Sequence, residues 1–300
     1  MATVPQLDFE AFIAKRKSEH AGGATDLAAP GREYSYVSDR QTRAAFARIK
    51  PVELAVNSTV RLFNQVWKAQ MLGNAVKVSE RQFSRIHSIT RECADTLHIP
   101  TPTVYIVANP QMNAGTYGTH DDSFIMVNSS MVDHYTDEEL RMVLGHECGH
   151  IHNSHVVYLT TLHYLTRMAG AFVRYIVEPA VFALRAWSRR AEITCDRAGM
   201  LCAKDAQVAA RSLTKLVIGS RKLYDEFNLD AFLEQYEEGK DSIGRHMEAF
   251  ATHPWLPKRV LAMRVFEESA LYKSAAGLGE GGIGMEAVDE RVRLLLKGEA

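Results

Sequence analysis

Residues 136–155, TDEELRMVLGHECGHIHNSH, decide how this chain is read. Thr136 with Glu139 three residues on forms a capping box, so a helix begins here and keeps helical spacing through the stretch. On it stands His146-Glu147-Cys148-Gly149-His150, the pattern H-E-x-x-H. Residues four apart lie about one turn apart on the same face, so both imidazoles reach one metal ion while Glu147 points beside its open side. The geometry is a zinc pincer. Two histidines make only part of a tetrahedral set, and a catalytic centre takes a third protein ligand and keeps the fourth position for water.

A three-histidine extension of the motif needs Gly and His at positions that hold Asn153 and Val156 here. His152 and His155 are out of register with the pair, which leaves them as surface residues or as supports behind the ligands. The stretch 189–200, RRAEITCDRAGM, offers the remaining donor. Glu192 and Asp196 share a helix face, so Glu192 can reach the metal while Asp196 accepts the free N–H of a ligating histidine and fixes its tautomer. Two carboxylates on an otherwise apolar helix are costly to bury without such partners. The plain alternative is an exposed face balanced by Arg189, Arg190 and Arg197.

Outward from these helices, TVYIVA (103–108) and SFIMVN (123–128) are β-branched and aromatic and read as strands around a turn-prone segment with Gly115, Gly118, Asp121 and Asp122. SERQFSRIHSITRECADTLHI (79–99) reads as a helix of roughly five turns, opened by Ser79 with Gln82 as a second capping box and closed before Pro100. The fold class is therefore α+β, mostly helical, with a small β-sheet beside the helix that carries the H-E-x-x-H motif. Residues 1–37, polar and carrying Gly22-Gly23 and Pro30-Gly31, are expected to be a flexible arm. Residues 38–78 read as a helical N-terminal extension, 79–274 as the metal-binding domain, and 275–300 as a Gly-rich linker (GLGEGGIG, 277–284) with a short C-terminal helix.

The most apolar stretch, 156–187, is interrupted by Arg167, Arg174, Glu178 and Arg185. No charge-free run of the ~18 to 20 residues that spanning needs remains, so an integral membrane span is not expected. On a single helix those four charges fall on one stripe opposite a broad apolar face. That face belongs either to a core helix kinked near Gly170 and Pro179, or to a contact with a second copy of the chain or with a membrane surface.

Composition narrows the classes. The 300 residues are 46% hydrophobic and 24% charged, an ordinary globular balance. Lys+Arg 35 against Asp+Glu 36 gives a net charge of -1, with no positive field for nucleic acid. Cys93, Cys148, Cys195 and Cys202 show no C-x-x-C spacing and read as free thiols. Cys148 and Cys195, inside the two motifs, are taken as packed thiols and not as ligands. The start, MATVPQLDFEAF, lacks the basic-then-apolar pattern of a secretory leader, so a cytoplasmic location is expected.

Asn113-Ala114 with Gly118, Glu139-Leu140 leading into Val143-Leu144-Gly145-His146-Glu147, Glu192 to Asp196, and His253-Pro254 with Arg259 follow one another in order. Jointly they resemble the gluzincin peptidases of family M48, the group that includes the CAAX prenyl endopeptidase and the heat-shock protease HtpX, over about residues 79–268. The resemblance implies one zinc ion per chain held by His146, His150 and Glu192, with Glu147 as general base and Asp196 behind the ligands. It also implies that Asn113 and Ala114 belong to an edge strand that pairs with an extended polypeptide substrate, and that His253 meets the developing oxyanion. The implied activity is zinc-dependent endopeptidase cleavage of extended or unfolded polypeptide by a soluble member of the family. On the residues alone, Asn113 is also ordinary turn chemistry and His253 an ordinary loop residue. Trp255 stands where members often carry a second proline, and the membrane spans of many members are not seen. The competing class is a non-hydrolysing or autoinhibited zinc-binding interaction module, closed by its own chain such as the 1–37 arm; Glu147 argues against it, because a structural site needs no base.

Overall fold

In the computed structural model, residues 31, 33–46, 56, 69, 72–119, 122–167, 171–238 and 253–297 are described. The order along the chain is α1 (Val37–Phe46), β1 (Ala75–Lys77), α2 (Ser84–Thr96), β2 (Thr103–Val107), β3 (Ala114–Gly118), β4 (Ser123–Asn128) and α3 (Ser129–His134). Then come α4 (Asp137–His152), α5 (Val156–Arg167), α6 (Ala171–Ala203), α7 (Ala206–Ile218) and a 3-10 turn (Arg221–Glu226). The chain continues through α8 (Leu229–Glu238), α9 (Leu256–Glu267), α10 (Ala270–Ala275) and α11 (Met285–Lys297). Helices dominate beside one small sheet, as the sequence predicts.

The capping box at the head of α4 forms in both directions: Glu139 N donates to Thr136 Oγ1 (3.4 Å) and Thr136 N to Glu139 Oε2 (2.9 Å). The same buried carboxylate takes Lys215 Nζ at 2.6 Å, so one side chain both starts α4 and ties it to α7. Helices α4 and α6 then meet at unusually close range. A Cβ at Gly145 would stand 2.7 Å from Cys202 Cβ, one at Gly149 2.7 Å from Ala198 Cβ, and one at Gly199 2.7 Å from the Met142 carbonyl. Helix-interior glycine costs about 1 kcal/mol against alanine; here it permits the approach of two backbones. The sheet has the order β1-β2-β4-β3, with β2 and β4 parallel and the outer pairs antiparallel. Strand β4, inside the sheet, buries Ile125 and Val127 in the main core and Phe124 against the rings of Tyr105 and Tyr117, and β3 is left at the edge.

Several boundaries differ from the sequence reading. Ser79 does not cap a helix: Ser79 and Gln82 exchange backbone hydrogen bonds (2.8 and 3.1 Å) across a tight bridge, and Phe83, at φ 60, delays α2 to Ser84. The Gln82 side chain, expected to complete a capping box, instead donates to the Lys77 carbonyl. The turn-prone segment contains a strand, β3, because pairing of Ala114 through Gly118 with β4 outweighs the weak strand preference of its glycines; Gly118, at φ 122, ends it.

The N-terminal arm also stops earlier than residue 37. Tyr34 and Tyr36 are core residues; the Tyr34 carbonyl accepts from Arg197 Nη1 (3.1 Å), and Tyr36 N donates to Thr194 Oγ1 (3.0 Å). Residues 1–30 of that arm, and 47–55 and 57–68 of the extension after it, lie outside the described residues. The Gly-rich segment is no loose tether. Positive φ at Gly277, Gly279, Gly281 and Gly282 turns it back so that Ile283 bridges Ser269. Helix α11 is then seated with Val288 and Val292 fully buried and Asp289 2.7 Å from Arg197.

The apolar stretch 156–187 is two helices, α5 and α6, so its four charges do not share one helix; residues 168–170 between them lie outside the described residues, and Pro179 sits within α6. Leu162, Leu165, Ala180, Val181, Leu184 and Trp187 pack with Phe46 of α1 into a second core, so much of the described part of this face is covered within the chain, while Phe182 stays exposed. Among the described residues no helix is long and apolar enough to cross a membrane.

Gly149→Ala tests the close approach. Forcing a methyl group against Ala198 should cost about 1–3 kcal/mol of overpacking, more than the ~1 kcal/mol of helix propensity gained. A lowered urea midpoint is expected; an unchanged or raised midpoint contradicts the packing described.

Candidate active site

Helix α4 presents His146, Glu147 and His150 from one face, and α6, held close by the three glycines, presents Glu192 and Asp196 toward them. All five side chains are buried. The Nε2 atoms of His146 and His150 lie 3.2 Å apart, with Glu192 Oε2 3.5 Å from the first and Oε1 3.6 Å from the second. His146, His150 and Glu192 thus come together.

Behind them, His146 Nδ1 lies 3.0 Å from Asp196 Oδ1. Arg259 of α9, which carried no assigned role, proves central. Its Nε and Nη2 grip both oxygens of Asp196 (2.8 and 2.5 Å), and its Nη1 lies 3.2 Å from Glu192 Oε2. Burial would raise both carboxyls, but Arg259 draws Asp196 below its usual value, and His253, Arg259 and His146 hold Glu192 well below. Both stay ionised. Burial would lower the His146 imidazole, yet Asp196 and Glu192 reverse this and raise it to about 10. Burial and the neighbouring His146 push His150 well below its ordinary value.

His155 is neither exposed nor idle. Its Nδ1 lies 3.2 Å from His150 Nδ1 and its Nε2 3.0 Å from Oδ2 of Asp39, a buried residue of α1. Burial, the largest influence on Asp39, pushes its carboxyl up; His155, with hydrogen bonds from Thr194 and Trp187, outweighs it and brings the group down to about 2.

Glu147 faces a hydroxyl from the edge strand: Thr116 Oγ1 donates to its Oε2 at 2.5 Å. Burial raises the Glu147 carboxyl, and His146 and Thr116 only partly offset this. Ala114 opens β3, while exposed Asn113 lies just before it, its carbonyl accepting from Asn128 N (2.9 Å). His253, with 60% of its side chain exposed, reaches the rim of the site, Nε2 3.6 Å from Glu192 Oε1.

The residues fit a metal ion. A tetrahedral ion with bonds of ~2.0 to 2.1 Å has ligand atoms about 3.3 Å apart; the two Nε2 atoms stand 3.2 Å apart, and each faces a different oxygen of Glu192, at 3.5 and 3.6 Å. Oε2 of Glu192 is buried and receives no hydrogen bond, and the two carboxylates favour positive charge at this point of the core. A second donor group, His150, His155 and Cys195, shares one histidine with the first. It faces the Nδ1 side of that ring, where Cys195 Sγ sits 3.5 Å from His155 Nδ1. Burial holds the Cys195 thiol protonated, which suits packing better than ligation.

Thr116 and Asp39 were not singled out from the sequence. Thr116 alternates with buried Gly118 on β3, a signal visible once the strand is recognised. Asp39 lies 116 residues from His155, and nothing local marks it.

Comparison with known proteins gives a consistent answer. The model of Peptidase family M48 matches residues 80–266. The plastoglobule-localized metallopeptidase 48, chloroplastic, of Arabidopsis thaliana is 35% identical over 222 residues, 70% of this chain and 64% of that protein, so the chain spans just under two thirds of that relative's length. A protease HtpX homolog of Moorella thermoacetica is 26% identical over 229 residues, 65% of this chain and 76% of its own. No solved structure matches the chain.

The Arg259 clamp makes a direct prediction. Arg259→Met would leave Asp196 and Glu192 buried without their cation and should destabilise the protein by about 3–5 kcal/mol in urea unfolding. A loss below about 1 kcal/mol, the scale of an exposed pair, would show that the clamp does not hold the site.

Proposed function

The chain belongs to peptidase family M48, and from that membership we propose that it is a zinc-dependent metalloendopeptidase cleaving extended or unfolded polypeptide. The observation that carries the proposal is the convergence of His146, His150 and Glu192 from two helices, with Glu147 on the same face. These three side chains would hold one zinc ion. When bound, zinc supplies a Lewis acid that polarises the scissile carbonyl and acidifies water.

Glu147 is the general base. A buried carboxyl with a raised pKa is better matched to taking a proton near neutral pH than an exposed one, and it returns that proton to the leaving amine. The Thr116 hydroxyl occupies Oε2 and holds the carboxyl in one orientation, which leaves Oε1 for the proton. His253, on the rim beside Glu192, would donate to the oxyanion as the carbonyl becomes tetrahedral, a role its nearness to Glu192 supports.

Substrate binding falls to β3. An extended peptide adds to the exposed edge by main-chain hydrogen bonding. The Gly118 N–H is already taken by Thr160 Oγ1 of α5 at 3.1 Å, so the usable edge lies toward Asn113 and Ala114. A preference for unfolded segments follows, because a folded strand has its own edge partners.

The four cysteines are free and buried, which supports a reducing compartment, and a cytoplasmic location is the reading we keep. The Arabidopsis relative is named for chloroplast plastoglobules, a different address.

Glu147→Gln tests the mechanism. Zinc content should be unchanged while cleavage of unfolded casein falls by about two to four orders of magnitude. Turnover at the wild-type rate would remove Glu147 as the base.

A further inference from the structure

The two imidazoles are held in different ways. His146 is backed directly by a carboxylate, Asp196 at 3.0 Å, whereas behind His150 stands another imidazole, with the two Nδ1 atoms 3.2 Å apart. Two ring nitrogens bond only if one carries a hydrogen and the other a lone pair, so something else must decide which is which.

That decision is made one step further back. His155 Nε2 lies 3.0 Å from Asp39 Oδ2, and an ionised carboxylate only accepts hydrogen bonds. As a neutral imidazole, His155 therefore carries its one hydrogen on Nε2 and turns a lone pair at Nδ1 toward His150. His150 must then carry its hydrogen on Nδ1, which frees the lone pair of Nε2, the atom that faces His146 and Glu192.

Besides His155, two donors fix Asp39. Trp187 Nε1 donates to Oδ1 (2.8 Å), Thr194 Oγ1 donates to Oδ2 (2.7 Å), and the Thr194 hydroxyl accepts from Tyr36 N (3.0 Å), so its own hydrogen is committed to the carboxylate. Asp39 and His155 are almost wholly buried, and Asp39 lies outside the segment matched by the family model, 80–266.

We propose that Asp39 of the N-terminal helix α1 is a positioning residue of the metal centre, which acts through His155 to fix the His150 tautomer that offers Nε2 to zinc. The segment around residues 34–46 is then a working part of the centre. The proposal rests on the metallopeptidase reading of the site.

The test measures zinc affinity by chelator competition in the full-length protein. Asp39→Asn keeps the side chain's size but can turn an N–H toward His155 Nε2, which allows the opposite tautomer through the relay. A protein with native circular dichroism and zinc bound about 10- to 100-fold more weakly is expected. Wild-type zinc affinity in Asp39→Asn would overturn the proposal, provided that Glu192→Gln, measured alongside, does weaken zinc binding. Wild-type affinity in Glu192→Gln as well would overturn the metal-site reading and the proposal with it. Should Asp39→Asn not fold, nitrogen-15 NMR of the zinc-loaded wild-type protein reads the tautomers directly. Hydrogen on Nε2 of His155 and on Nδ1 of His150 supports the relay, and hydrogen on Nδ1 of His155 overturns it.

Discussion

The close contact between α4 and α6 is the constraint on which the rest depends. Each helix carries half of a site: two imidazoles and a carboxylate on one, two carboxylates on the other. Neither half is useful alone, and side chains of this length meet only if the backbones come near. Gly145, Gly149 and Gly199 make that possible, since a Cβ at any of them would stand 2.7 Å or less from an atom of the facing helix. The small sheet and the flanking helices hold this pair in register.

Bringing the halves together also concentrates charge in the core. Glu147, Glu192, Asp196, Asp39 and Arg259 are all buried, a costly arrangement unless each finds partners. Arg259 hydrogen-bonds Asp196 and forms an ion pair with Glu192, and Asp39 collects three donors. Glu192 Oε2 remains without a hydrogen bond at the point where the ligands converge. Stability and function are thus coupled: the groups that neutralise the buried charges also orient the side chains that would bind the metal.

Most of the site was legible in the sequence because its residues are local. H-E-x-x-H and Glu192 with Asp196 declare themselves through helical spacing, and Thr136 with Glu139 sets the helix start. What was not legible depends on tertiary contacts. Nothing near Asp39 predicts a meeting with His155, and residues 34–37 read as part of a polar arm until Arg197, Thr194 and Asp289 are seen holding them. Ser79 with Gln82 has the same local signal as Thr136 with Glu139, yet Phe83 in a left-handed conformation makes it a turn. The strand β3, glycine-rich and turn-like in sequence, exists because β4 pairs with it.

The central claim is that one ion is held by two imidazole nitrogens and a carboxylate, with the thiol of Cys195 excluded. X-ray absorption at the zinc edge of the zinc-loaded protein tests it most directly. The account predicts a shell of nitrogen and oxygen scatterers alone, at ~2.0 to 2.1 Å. A sulfur scatterer at ~2.3 Å would instead place the metal at the alternative group of His150, His155 and Cys195 and contradict it.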